Sequence, residues 1–308
     1  MSKPINLIFL LLVCAAVLVS GCTGRQSALG GNGVVIEEFS ADPPDLYSGE
    51  PFQLKLMVRN AGPLDAKNVR FELSNTKTRS EGLEITCKPE CRGVLERLLA
   101  PDPQAGTSGE SVNCIWKCNA PENVPRNAEI LFNPEVRVYY TYESSVVSSV
   151  TILSTEELRS LQSRGEPLPS ETISLAEGPI RLRLQMRSPV RYTEGTGKVT
   201  FPLSIHIENV GGGVACYPDC MSTENWDKVF LELDQQSEMN LKDCDVGMFN
   251  EVGLWRGKSR TIVCDAEIPL FSEAGRRVDI NILKKTIKIK ASYEYFTDSV
   301  TSVRVRGY

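Results

Sequence analysis

From residue 33 onward the chain alternates apolar and polar positions with a period of two. Phe52, Leu54, Leu56 and Val58 fall on one face of an extended segment, and Gln53, Lys55, Met57 and Arg59 fall on the other. Phe201, Leu203, Ile205 and Ile207 alternate with Ser204, His206 and Glu208 in the same way. Val69, Phe71 and Leu73 interleave with Arg70 and Glu72. Val229, Leu231 and Leu233 flank Glu232, and Ile287, Ile289 and Ala291 interleave with Lys288 and Lys290. Successive strand side chains point to opposite faces, so this pattern predicts half-buried strands. Asn60-Ala-Gly-Pro63 and Asn209-Val-Gly-Gly-Gly213 supply turn chemistry between them. Many short strands divided by turns predict an all-β chain built as β-sandwiches. One stretch differs. Ser154-Thr-Glu-Glu157 has capping-box spacing and Leu158 and Leu161 share a helical face, which predicts a short helix over 155–163. Gly165-Glu-Pro-Leu-Pro-Ser170 then reads as a linker.

The pattern repeats. Phe52 to Gly62 and Phe201 to Gly211 both read Phe-x-Leu-x-(Leu/Ile)-x-(Val/Ile)-x-Asn-x-Gly. Tyr140-Thr-Tyr142 with Val146 parallels Tyr293-Glu-Tyr295 with Val300. Cys87-Lys-Pro-Glu-Cys91 parallels Cys216-Tyr-Pro-Asp-Cys220. Three matches in one order predict a duplication, with one domain over 33–153 and a second over 178–308. Residues 154–177 form a helix-bearing linker between them.

The first 32 residues have another character. Lys3 is the one charged side chain before Arg25, and Ile5 to Val19 is almost wholly apolar. A positive start, an apolar core and the small residues Ser20 and Gly21 have the layout of an export signal over 1–21. An apolar run of about 15 residues is short for a bilayer span. Leu18-Val-Ser-Gly-Cys22 resembles the lipobox of prokaryotic lipoproteins. That resemblance implies cleavage before Cys22, lipidation of Cys22 and a membrane tether, with an uncleaved anchor and plain secretion as the alternatives. Cys14, inside the apolar run, reads as a small hydrophobe. The Gly-rich stretch 22–32 is a flexible tether by composition.

Both repeats resemble the immunoglobulin-like domains of prokaryotic, possibly archaeal, surface proteins, in particular the cell-adhesion-related CARDB type. The resemblance is carried by the apolar strand ending in Asn-x-Gly and by Ala66-Lys-Asn-Val-Arg-Phe-Glu-Leu73. It implies two tandem immunoglobulin-like β-sandwiches acting as extracellular spacers and binding modules.

Composition adds a compartment and removes some chemistries. A net charge of −5 argues against a nucleic-acid partner. Of ten cysteines, eight lie beyond residue 33, four in each repeat. Even counts in an exported chain imply disulfides. Four cysteines allow three connectivities per repeat; antiparallel strands pair residues whose numbers share a sum, which makes Cys87 with Cys118 and Cys91 with Cys114 the candidate nested pairs. The analogous nested pairs are Cys216 with Cys264 and Cys220 with Cys244. The rival is a four-thiolate zinc site. It is disfavoured by C-x3-C spacing and by an oxidising exterior. No C-x-x-C redox motif occurs.

Catalytic signatures are thin. His206 is the one imidazole, and strand alternation turns it outward. Gly211-Gly-Gly213 leads into Cys216-Tyr-Pro and not into a helix, so it reads as a turn and not a phosphate loop. Glu37-Glu38, Glu156-Glu157 and Asp243 with Asp245 are paired carboxylates by composition, better explained as exposed charges. Asp42, Asp45, Asp243 and Asp245 offer oxygen ligands without EF-hand spacing. Arg276, Arg277, Lys284, Lys285, Lys288 and Lys290 form a basic run, the wet face of a strand or a patch for acidic envelope polymers. Trp116, Trp226 and Trp255 are core anchors or sugar-stacking platforms.

The sequence thus leads to the expectation of a non-catalytic, membrane-tethered surface protein of structural, adhesive or partner-binding role. It has no catalytic residues, cofactor or metal, and a protein or envelope-polymer partner. The alternative is an accessory subunit of a secretion, pilus or transport assembly.

Overall fold

The computed structural model describes residues 33–78, 82–91, 93–169, 173–176, 178–192, 197–237, 239–245, 250–270 and 281–308. The expected signal, the tether and the lipidation residue Cys22 lie outside them, as do Arg276 and Arg277.

The fold is all-β. The first half contributes β1 (Val34–Asp42), β2 (Asp45–Tyr47), β3 (Pro51–Asn60), β4 (Ala66–Ser74), β5 (Thr86–Pro89), β6 (Val94–Leu98), β7 (Ser111–Asn119), β8 (Glu129–Phe132) and β9 (Glu135–Ser154). Helix α1 (Thr155–Arg164) follows. The second half contributes β10 (Ile173–Ala176), β11 (Ile180–Gln185), β12 (Val190–Tyr192), β13 (Lys198–Asn209), β14 (Val214–Cys216), β15 (Lys228–Leu233), β16 (Asn240–Lys242), β17 (Glu251–Gly253), β18 (Ser259–Pro269), β19 (Ile282–Val300) and β20 (Val303–Arg306).

The apolar strands of the repeat motif are the centres of two four-stranded sheets. One has the order β1-β3-β7-β5 and the other β11-β13-β18-β16. Phe52, Leu54, Leu56 and Val58 are buried in the first, as are Phe201, Leu203, Ile205 and Ile207 in the second. Each faces one part of a single nine-stranded sheet whose central path is β17-β15-β19-β9-β4-β6. Its middle is the antiparallel ladder of β9 with β19, nineteen consecutive residue pairs from Leu153↔Ile282 to Glu135↔Val300. Most buried apolar residues of both halves form one continuous core.

The sheets do not divide at a point in the sequence. The end of β9 runs beside β12, with Ile152 opposite Val190. β20, the last strand of the chain, inserts between β2 and β8 of the first half, with Val305 opposite Leu46 and Ile130. Each half therefore lends its final strand to the other. Val305 is fully buried and Ile152 nearly so.

Helix α1 covers the end of β9. The Ser154 hydroxyl accepts the Glu157 N–H at 3.0 Å, a capping contact worth about 1 kcal/mol. Gly165 closes the helix at φ +70°, a left-handed conformation that favours glycine. Leu158 and Leu161 pack on Leu153. Among the described residues no helix is long and apolar enough to cross a membrane.

Candidate functional site

The site is best built from the turn that ends each repeat's apolar strand. Asn60 Nδ2 donates to the carbonyls of Leu64 and Leu98, both at 2.9 Å, and its Oδ1 accepts the Gly62 N–H at 3.0 Å. Asn209 Nδ2 donates to the carbonyls of Gly213 at 2.9 Å and Gly257 at 3.1 Å, and its Oδ1 accepts the Gly211 N–H at 3.3 Å. A tyrosine completes each turn. Leu64 N–H donates to the Tyr142 hydroxyl at 2.9 Å, and Gly213 N–H donates to the Tyr295 hydroxyl at 2.8 Å. Burial pushes both phenols up to about 12, because a buried phenolate loses its hydration.

Beyond this shared frame the halves differ. In the first, β4 passes β9 with a bulge between Lys67 and Arg70, at the positive-φ Asn68. In the second, the matching strand is broken. β14 stops at Cys216, opposite Glu294, and β15 resumes with Phe230 opposite Ser292. The chain between them forms a loop on the outer face of the shared sheet, closed by the Cys216–Cys220 disulfide. Beneath it Tyr139, Phe296 and Cys220 are buried although they face away from the main core. Trp226 returns the loop and donates from Nε1 to the Cys220 carbonyl at 3.3 Å.

Glu294 anchors this loop. Its carboxylate is buried, accepts the Cys220 N–H at 2.6 Å, and pairs with Arg70 of the first half. Arg70 stacks 4.2 Å from the Tyr139 ring, and Arg137 lies 4.3 Å from the Phe296 ring. Both halves therefore meet on one buried charge, whose partners replace the water it lost.

A tight hairpin stands beside the loop. Leu254 N–H donates to the Asp227 carbonyl at 2.6 Å, and Asn209 N–H donates to the Lys258 carbonyl at 2.7 Å. Burial pushes the Asp227 carboxyl up. Arg256 and Gly257 both have positive φ, and a Cβ on Gly257 would lie 2.7 Å from Asp227 Oδ1. On this frame Trp255 is 67 % exposed, with the Arg256 guanidinium 5.9 Å from its ring. Met221, on the disulfide loop, is 82 % exposed. Among the described residues Arg256, Lys258 and Arg260 have no carboxylate at ion-pair distance, whereas neighbouring Lys228 pairs with Glu251 at 2.8 Å.

Open hollows mark the first half. One, of about 810 Å³, runs along the edge strand β6, lined by Lys67, Val94, Leu95, Arg97 and Glu110 among others. Another, of about 470 Å³, lies over Thr141, Glu143 and Ser292, near Asp65 and Lys67.

The cysteines correct one expectation. The first half has Cys87–Cys118 and Cys91–Cys114, and Cys87 lies directly opposite Cys118 between β5 and β7. The second half has Cys216–Cys220 and Cys244–Cys264, not Cys216 with Cys264 and Cys220 with Cys244. The reason is layer membership. Cys216 belongs to the shared sheet, while Cys264 lies in β18 of the opposing sheet, next to the strand that ends before Cys244. The two C-x3-C segments are thus not equivalent, since Cys87 pairs within a four-stranded sheet. Four disulfides place the chain in an oxidising compartment outside the cytosol.

The other candidates scatter. His206 is on the exposed face of β13, its Nδ1 2.9 Å from the Thr261 hydroxyl. Glu37 pairs with Arg59, Asp42 with Lys55, and Asp45 with Arg304 at 3.2 Å. Asp245 accepts the Val263 N–H at 3.0 Å. Among the described residues no three His, Cys, Asp or Glu side chains gather as metal ligands. Gly211 and Gly213 form a turn that packs against Tyr295. Lys288 pairs with Asp234 at 3.2 Å and Lys290 with Glu143 at 3.9 Å, so these two members of the basic run have carboxylate partners. Trp116 is buried, Trp226 half-buried and Trp255 exposed. The Glu294–Arg70 link was invisible in sequence, because the two residues are 224 positions apart.

No protein-family model matches the chain. No curated protein matches it either. Among solved structures it is similar to the secreted serine protease VesC from Vibrio cholerae, at 9 % identity and TM-score 0.22, covering 87 % of this chain and 51 % of that one. The chain therefore spans about half the length of that protein. It is also similar to the CupB6 tip adhesin from Pseudomonas aeruginosa, at 8 % identity and TM-score 0.19, covering 90 % and 95 %. A third similarity is to a chaperone-tip adhesin complex of CFA/I fimbriae biogenesis, at 13 % identity and TM-score 0.11, covering 91 % and 82 %. A secreted protease stands among these neighbours, and the expectation of a non-catalytic chain is withdrawn. At these scores the likenesses assign neither an activity nor a ligand.

Proposed function

We propose that the chain is a membrane-tethered surface protein whose two immunoglobulin-like, CARDB-type repeats present a binding surface to an envelope component. One observation carries this reading. The second repeat alone has a disulfide-closed insertion in this strand, and Met221 beside it and Trp255 on the adjoining hairpin are exposed. The scaffold does not need the insertion, since the first repeat makes the same passage with a simple bulge. Exposed aromatic groups on a rigid support are what interfaces use as anchors. The lipobox at Cys22, the Gly-rich tether and the disulfides support a position at the outer surface of a membrane.

The test is sedimentation of the full chain, in mild detergent, with isolated envelope material. The reading expects the wild type to sediment with it and the double variant Met221→Ser, Trp255→Ala to stay in the supernatant. Equal behaviour of the two would contradict it. Intact mass of envelope-extracted protein tests the tether, which requires loss of residues 1–21 and a lipid increment on Cys22.

A second reading, an accessory subunit of a secretion, pilus or transport assembly, is favoured by the edge strand β6. Its open hollow and exposed Val94 and Leu99 suit pairing with an added strand from a partner. Crosslinking in cells separates the two readings by recovering a defined protein partner on β6.

A further inference from the structure

Resting on the binding reading above, we infer that the Trp255 hairpin takes an acidic polysaccharide. The indole covers the apolar C–H face of a sugar ring, and Arg256 and Lys258 pair with carboxylate or sulfate groups on the same chain.

Three features of the hairpin carry this. First, it is held at both ends. The Asp227 carbonyl accepts the Leu254 N–H at 2.6 Å, the Lys258 carbonyl accepts the Asn209 N–H at 2.7 Å, and the Gly257 carbonyl accepts from Asn209 Nδ2 at 3.1 Å. Asn209 is itself bonded by the Tyr295 hydroxyl at 2.7 Å. An aromatic group on a fixed frame loses little freedom when it binds. Second, Trp255 is the exposed tryptophan, whereas Trp116 is 4 % exposed. Third, its charge is uncompensated. Arg256, Lys258 and Arg260 lie within six residues of Trp255, with no carboxylate at ion-pair distance among the described residues. The chain as a whole carries −5. A local positive site on an acidic body attracts an anionic chain to that spot and repels it elsewhere.

The geometry favours a polymer over a lipid surface. Trp255 is flanked by exposed Arg256 and Lys258 and by Gly257. A bilayer anchor needs a broader apolar face than one indole. The other half offers a mixed surface instead, with Lys67, Arg97 and Glu110 around its hollow.

The test uses the full chain in mild detergent with three probes: polygalacturonate, neutral dextran, and vesicles containing an anionic phospholipid. Intrinsic fluorescence and affinity electrophoresis are the readouts. Polygalacturonate is expected to retard the chain and change its tryptophan emission, with binding weakened by added salt. Dextran is expected to do neither. Trp255→Ala is expected to weaken binding about tenfold or more, the scale of an interface anchor, and Trp255→Phe to restore part of it. Arg256→Gln with Lys258→Gln should weaken binding and flatten the salt dependence. Because these side chains are exposed, the melting temperature should not move, which separates lost binding from lost folding. Binding that is unaltered in Trp255→Ala, or confined to anionic vesicles, overturns the inference. So does failure to bind polygalacturonate. If envelope sedimentation still depends on Met221 and Trp255 in that last case, the binding reading stands and only the ligand class falls. If sedimentation is also absent, both fall.

Discussion

Thr141 lies directly opposite Glu294 in the β9–β19 ladder, and the two halves of the molecule are arranged about that pair. The residues are 153 apart (294 − 141), the same offset that relates Tyr140 to Tyr293 and Tyr142 to Tyr295. Tyr142 consequently faces Tyr293, and Tyr140 faces Tyr295. Four tyrosines meet at the centre of the core, with ring centroids 5.6 to 6.4 Å apart. A duplicated strand paired antiparallel with its own copy has a local two-fold axis through the residue that meets its equivalent. The reciprocal loan of β20 and the end of β9 follows from the same axis.

The Asn and Tyr of each repeat should act as a coupled pair. Asn209→Ala is expected to cost about 1–3 kcal/mol, because it strands buried carbonyls that Nδ2 now satisfies. Asn60→Ala should cost as much or more, since Asn60 is fully buried. A double-mutant cycle of Asn209→Ala with Tyr295→Phe should be non-additive by about 0.5 kcal/mol or more, as the two side chains are bonded at 2.7 Å. Urea unfolding measures each term.

Gly213 cannot carry a side chain. A Cβ there would lie 2.1 Å from the Phe296 carbonyl oxygen, which is backbone and cannot swing aside. Gly213→Ala should destabilise the fold by about 3 kcal/mol or more, by forcing apart β14 and β19. Gly93 has open space around its Cβ position, so Gly93→Ala should change stability by less than about 0.5 kcal/mol. Thermal unfolding of the two variants distinguishes a packing cost from a general intolerance of glycine replacement.

The central tyrosines predict alkaline sensitivity. Burial raises Tyr142 and Tyr295 from 10 to about 12 and pushes Tyr140 and Tyr293 up as well. The unfolded chain ionises these phenols near pH 10, while the folded chain keeps them neutral. Their contribution is therefore intact below about pH 10 and declines as pH rises toward 12. Ultraviolet titration should show these four buried phenols ionising only as the protein unfolds. A single titration of all nine tyrosines near the ordinary value would contradict this.

Disulfides should differ in weight. Cys87–Cys118 closes a separation of 31 residues and Cys216–Cys220 one of 4. In the chain-entropy account, removing them costs about 4 and about 2 kcal/mol respectively. Peptide mapping without reduction should recover Cys216–Cys220 and Cys244–Cys264. Recovery of a Cys216–Cys264 peptide would contradict the assignment of those residues to opposing sheets.

Much of the strand pattern was legible because burial on one face imposes a period of two, as along Phe52 to Val58 and Phe201 to Ile207. The Asn-x-Gly and Tyr-x-Tyr matches also marked real correspondences, because both serve one hydrogen-bonded turn. The cysteine match misled, because C-x3-C spacing says nothing about which sheet carries it. Cys87 lies beside β7, whereas Cys216 ends a strand of the shared sheet. The strand exchange was hidden for a related reason. The pairing of Val303 to Arg306 leaves no local signal, because its partners Leu46 and Ile130 are far away in sequence. Trp255 was visible as a candidate, but its exposure depends on the anchored turn beneath it.

The central claim, that two repeats form one interlocked body, is tested most directly by cutting the chain between them. A protease site placed at Pro167 to Pro169, in the exposed stretch after α1, would allow cleavage of the folded protein. All four disulfides lie within one half or the other, so none would hold the pieces together. The β9–β19 ladder and the exchanged strands predict that the cut protein elutes as one particle, unfolds in one transition, and separates only in denaturant. Two independent species under native conditions would contradict the shared sheet.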